Sequence, residues 1–163
     1  METQTTAKGY MPPAVRQFSV FLDNRVGRLY DLLEVFADHP EVQICALTVV
    51  DSADYAVIRL IPNNSGIARA LLRNRGLSFS ETDLLIVELE PRHTLTSMCL
   101  YLLGAELNIR FAYPLMLRRD GKPAIALAVD DYILAGQILR SKEFRLLCEG
   151  DLPHPGFDIE DCE

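Results

Sequence analysis

Residues 28–38 read RLYDLLEVFAD and residues 94–104 read TLTSMCLYLLG, the second stretch repeating the spacing of the first at an offset of 66. In the first, Leu29, Leu32, Leu33 and Phe36 fall at i, i+3, i+4 and i+7, one face of a helix that Pro40 ends. In the second, Leu95, Met98, Cys99 and Leu102 keep the same spacing, which places Cys99 on the core side. A recurring element at this period predicts duplication.

The flanking sequence extends the repeat. Residues 17–23 (QFSVFLD) read as a buried strand before the first helix. After it come a strand at 42–50 (VQICALTVV), a turn at 51–54 (DSAD) and a hairpin strand at 55–61 (YAVIRLI). Asn63, Asn64, Ser65 and Gly66 offer capping groups for a helix through Arg75, Gly76 suits its C-terminal cap, and 77–82 returns as a strand. The order is β-α-β-β-α-β. It starts again at 84–90 (LLIVELE), so that 77–90 reads as two strands in near-continuous extension. Beyond the second copy of the helix, 107–117 is a strand interrupted by Tyr113 and Pro114, which marks an edge or bulge. Residues 119–122 (RDGK) make a turn, 124–129 a hairpin strand, Asp130 and Asp131 open a helix to about Lys142, and 144–149 closes the unit.

The fold class expected is therefore α+β: two ferredoxin-like βαββαβ modules, each an antiparallel sheet with its helices on one face. The first spans 14–82, the second 83–150, and 151–163 is an acidic C-terminal tail. Strands as apolar as 42–50 call for sheet or subunit pairing over the bare face.

Hydrophobic residues at 49% and charged residues at 24% describe a globular chain. No apolar run approaches the roughly 18 residues of a membrane helix, and the polar start (METQTTAKGYMPP) lacks the core of a signal peptide, so a cytoplasmic protein is expected, with no membrane partner. Of the net charge of −7, five units belong to Asp151, Asp158, Glu160, Asp161 and Glu163, in a tail that reads as a solvated end. A near-neutral body with such a tail argues against nucleic acid. Cys45, Cys99, Cys148 and Cys162 show no paired spacing, and three lie in apolar stretches. His39, His93 and His154 are scattered, so neither metal nor cofactor is expected. No nucleophile with a His-acid pattern and no phosphate loop is present, which argues against an enzyme. Arg69, Arg73 and Arg75 sit near a helix end, where the dipole favours cations.

Where the first strand turns into the first helix, the chain reads Asp23, Asn24, Arg25, Val26, Gly27, Arg28, Leu29. Gly27 allows close backbone approach, helix N–H groups suit a carboxylate, and Asp23 could face an ammonium group. These features fit the two charged ends of a free amino acid. They equally fit a tight βα turn permitted by Gly27 with Asn24 as helix cap.

At this loop the sequence resembles the ACT domain family, whose pattern is Asp/Glu-Asn/Asp-Arg-Pro-Gly-x-Leu, with Val26 here in place of proline. A second family mark, Gly-x-Asn-Ile before the second strand, is met at Asn108 and Ile109 without the glycine, while Gln43 and Ile44 stand there in unit one. The likeness covers about 17–149, nearest to stand-alone tandem ACT proteins of bacteria. It implies a regulatory protein, a homo-oligomer such as a dimer, with an amino acid or similar small metabolite bound between paired modules. The ligand-binding residues implied are Asp23, Asn24, Arg25, Val26, Gly27, Arg28 and Leu29 of unit one with Asn108 and Ile109 of unit two. Gln43, Ile44, Arg92, His93 and Thr94 would line a secondary or vestigial site, since the second loop lacks the glycine. Pairing within or between chains is open. The alternative is a ligand-free regulatory or scaffolding subunit that binds a metabolic enzyme through degenerate modules.

Overall fold

The fold is described from a computed structural model over residues 11–154, with the backbone alone at Arg119. Its elements are β1 (Val15–Asp23), α1 (Arg28–Ala37), β2 (Ile44–Asp51), β3 (Tyr55–Pro62), α2 (Ser65–Asn74), β4 (Ser78–Glu88), α3 (Leu95–Gly104), β5 (Ile109–Pro114), β6 (Ala124–Val129), α4 (Tyr132–Ser141) and β7 (Leu146–Leu147). The strands join in the order β2-β3-β1-β4-β6-β5, with β7 also on β4, and every ladder is antiparallel. Each half thus has the expected split βαββαβ topology.

The two halves share β4. Residues Ser78 to Leu84 pair with β1 as the last strand of unit one, and Leu85 to Glu88 pair with β6 as the first strand of unit two. The boundary drawn at 82/83 falls inside this one strand. Alternation along it divides the cores: Leu85 and Val87 join unit two's helix-facing core, while Leu84 and Ile86 face a cluster between the units.

Three apolar clusters hold the chain. One packs α1 and α2 on the first sheet around Phe18, Leu32, Ile58 and Leu72, and a second packs α3 and α4 on the other sheet around Leu85, Met98, Leu127 and Leu139. The third lies between the helix-free faces, where Val15, Cys45, Ala46 and Ile61 meet Tyr113, Leu115, Ala126 and Leu147. The bare faces are therefore paired within the chain. Matching register shifts, between Ile44 and Ala46 in β2 and between Ile109 and Phe111 in β5, mark the same place in both halves. In β2 the extra residue turns Cys45 and Ala46 together toward the other unit. Across this seam the Tyr113 hydroxyl donates to Gln17 Oε1 at 2.6 Å, and the Arg59 guanidinium lies 4.0 Å from the Phe111 ring centre.

Some expectations are corrected. Leu33 is partly exposed, and Val35 takes its place beside Leu32 and Phe36. Cys99 is exposed, because α3 is apolar almost all round and spacing alone defines no single face; Met98 and Leu102 are the buried pair. Of the cysteines in the described residues only Cys45 is buried; Cys162 lies outside them. Arg69 does not stay at the dipole: it makes a two-pronged pair with Glu81 of β4, with Nε 3.0 Å from Oε2 and Nη2 2.6 Å from Oε1. The strand expected at 107–117 stops at Pro114, which cannot donate to a ladder, and the one at 144–149 shrinks to Leu146–Leu147. The start of the tail is not a solvated end. Leu152 is buried in the inter-unit cluster, the Asn63 side chain donates to the Pro153 carbonyl at 2.7 Å, and Glu149 accepts from Ser65. The tail beyond His154 lies outside the described residues. Among the described residues no helix is long and apolar enough to cross a membrane.

Candidate functional site

The β1–α1 connection places the first loop at one end of unit one. Gly27 occupies the N-cap of α1 with φ 90°, a conformation that strains any residue with a Cβ, and no side chain caps the helix. The other three α-helices are capped by Asn64, Thr94 and Asp131, which accept from Ile67, Ser97 and Leu134. Asn24 does not cap α1. Its amide donates to Asp51 Oδ1 at 3.1 Å and the Ser52 carbonyl at 3.4 Å, tying the loop to the β2–β3 turn.

Asp23, the last residue of β1, is held by Arg25 at 2.6 Å and Arg28 at 3.2 Å. A hydrogen bond from its own backbone, followed by these two guanidinium groups, keeps its carboxyl below the usual carboxylate range. Arg28 also lies 3.8 Å from Asp31, and its Nε–H is buried with no acceptor among the described residues. Val26 is fully exposed. Leu29 turns inward and packs on the helix core.

Behind this loop lies a cavity of about 150 Å³ that the sequence reading did not anticipate. Leu22, Leu32, Val35 and Leu77 form its apolar walls, and Arg28, Asp31 and Arg75 supply its charged groups. Arg75 and Leu77 come from the α2–β4 connection, far from the loop in sequence.

The corresponding loop of unit two is closed. Register aligns Asp23, opposite Tyr55 at the start of β3, with Glu88, opposite Ala124 at the start of β6. The offset here is 65, one less than that of the helices, which hid the correspondence. Whereas the Asp23 side chain is 52% exposed, that of Glu88 is 5% exposed, with Arg145 at 3.5 Å from an Oε2 that lacks a hydrogen-bond donor. The crevice beside Glu88, lined also by Lys122, Arg145 and Leu152, measures about 10 Å³, room for one water. Thr94 and Ser97 close a capping box on α3, and His93 packs against Phe144 with the rings tilted at 52° and 4.7 Å between their centres. Arg92 is exposed.

The remaining residues of interest stay within their own units. Asn108 is exposed; its N–H donates to Asp130, whose N–H returns a bond to the Asn108 carbonyl. Ile109 pairs with Val129. The Gln43 N–H donates to Asn63 Oδ1 at 2.8 Å, and Ile44 packs on the first helix core. Among the described residues no hydrogen bond or ion pair links the 23–29 loop to Asn108 or Ile109. Burial pushes the Cys45 thiol up to about 12, leaving it protonated.

The class of protein that this architecture defines is a tandem pair of ferredoxin-like modules sharing one strand. The chain belongs to the ACT domain pair family, whose profile matches residues 13–152. Among solved structures it is similar to protein BT0572 from Bacteroides thetaiotaomicron, at 22% identity and a TM-score of 0.74, covering 86% of this chain and 96% of that one. It is also similar to the regulatory subunit of aspartate kinase from Thermus thermophilus, in its ligand-free form, at 6% identity and a TM-score of 0.51, covering 80% and 93%. At these identities the likeness concerns the fold. No curated protein gives a significant match.

Proposed function

We propose that the protein is a non-catalytic cytoplasmic regulator that binds a free amino acid on the 23–29 loop of unit one. The observation that carries this reading is the α1 N-terminus: Gly27 opens it, no side chain caps it, and Asp23 and Arg28 stand beside it with opposite charges. Helix N–H groups and Arg28 suit a carboxylate, and Asp23 suits an ammonium group. Asn108 and Ile109 of a neighbouring chain would complete the site in a homodimer, the arrangement that the resemblance to paired ACT modules implies. Binding would regulate by favouring one assembly or one partner-bound state over another.

The test is a thermal-shift screen of the full chain against the proteinogenic amino acids at millimolar concentration. A ligand at about 100 times its Kd adds roughly 2.7 kcal/mol, a shift of several degrees. One amino acid should raise Tm, and Asn24→Ala and Asn108→Ala should each weaken it, with a dimer in sedimentation. A flat screen sinks the reading.

A second reading, a ligand-free subunit docked on a metabolic enzyme, is favoured by α3. That helix has no charged residue, and it exposes Leu95, Leu100 and Leu103. A flat screen with co-purification of an enzyme would support it.

A further inference from the structure

We infer that the cavity behind the first loop is the side-chain pocket for an aliphatic α-amino acid of the valine, leucine and isoleucine class. This deepens the amino-acid reading above and rests on it.

The repeat shows why the cavity exists. Val35 of α1 and Tyr101 of α3 stand 66 residues apart at equivalent helical positions. Leu77 and Phe144 are equivalent too: each follows a left-handed residue, Gly76 (φ 65°) or Glu143 (φ 67°), and each donates its N–H five residues back, to Leu72 or Leu139. In unit two the rings of Tyr101 and Phe144 meet edge to face at 6.2 Å, with His93 against the other ring. In unit one both rings are replaced by aliphatic side chains, and about 150 Å³ is left open. The position of Arg75 is taken in unit two by Lys142, whose ammonium lies 5.1 Å from the centre of the Tyr101 ring. The place is therefore plugged in one unit and open in the other.

The lining selects the ligand. A cavity of this volume with aliphatic walls holds an apolar group no larger than about benzene. A side chain of three or four carbons therefore fits with room to spare, a phenyl ring fills it to the limit and an indole does not fit. Leu22, Leu32, Val35 and Leu77 offer such a tail no hydrogen-bond partner, which disfavours polar side chains. The charged groups suit the common head: Arg28 and Arg75 for the carboxylate, with Asp31 at the rim joining Asp23, across Arg28, as acids for the ammonium group. Arg28 already carries a buried Nε–H without an acceptor, which a ligand carboxylate would supply.

The experiment is calorimetric titration of the full chain with leucine, valine, isoleucine, serine and aspartate. The aliphatic three should bind and the polar two should not. Installing the plug of unit two with Val35→Tyr and Leu77→Phe should weaken leucine at least a hundredfold with the circular dichroism unchanged. Arg75→Gln, on an exposed side chain, should weaken it about tenfold; if the double variant misfolds, Leu77→Phe and Arg75→Gln decide alone. Aliphatic binding that survives the plug but is lost in Asn24→Ala overturns the pocket and leaves the loop reading standing. So does a screen in which only a polar amino acid binds. Silence from every amino acid overturns both.

Discussion

At the first helix of unit one, the space between α1 and the α2–β4 connection is open and the helix start is bare of any side-chain cap. At the first helix of unit two, two aromatic rings and a histidine occupy that space and Thr94 caps the helix. The backbones agree down to the register shift in the second strand and the left-handed residue after the second helix. What differs is side-chain volume and capping, the two terms that trade local stability against an open surface. A duplicated fold can thus assign stability to one copy and a vacant polar-rimmed cavity to the other without altering its topology.

The comparison breaks most sharply at Phe144. Phe144→Ala should cost about 3–5 kcal/mol in urea unfolding, because it removes a buried ring packed on His93 and Tyr101. Leu77→Ala, at the equivalent place but half-buried beside open space, should cost under about 2 kcal/mol. Equal losses would mean that the two places are packed alike. A smaller contrast concerns the loops: Thr94→Ala should cost about 1 kcal/mol through the lost cap, and Asn24→Ala under about 0.5 kcal/mol, since Asn24 caps nothing. Guanidinium titrations of the two variants would read this difference.

The smallest effect is in pH. The Asp23 carboxyl titrates below its ordinary value of 3.8 in the folded chain. Its contribution to stability is therefore present above that value and is lost as pH falls through the lower folded one. Carboxyl NMR should find Asp23 below the ordinary aspartate range, and Arg25→Gln and Arg28→Gln should each raise it part of the way, the backbone hydrogen bond holding the rest.

The fold was largely legible because its duplicated helices carry the same spacing and its strands are separated by distinct turn signals. The near-continuous stretch at 77–90 announced the shared strand, and Pro114 announced the end of β5. What failed to show had specific causes. Cys99 was misplaced because an uncharged helix gives periodicity nothing to contrast with. The docking of Leu152 and Pro153 is a long-range contact that no local pattern encodes. The loop at Asp23 was visible as a motif, but the cavity was not, because Arg75 and Leu77 reach it only through the fold. Aligning the two copies at the post-helix left-handed residue, rather than at a constant offset, would have set Leu77 against Phe144 and exposed the missing rings. Pairing Asp23 with Glu88 takes a shift in the other direction, to an offset of 65.

The shared strand also sets an order of events during synthesis. Unit one cannot complete its sheet until residues 78 to 84 have left the ribosome, and its helix-free face stays uncovered until β5, β6 and Leu152 have followed. Nearly the whole described chain must emerge before Cys45, Ala46 and Ile61 are shielded from water. From the emergence of β3 until Leu152 has followed, the nascent protein therefore carries an uncovered apolar face, the kind of surface through which unfinished chains stick to one another.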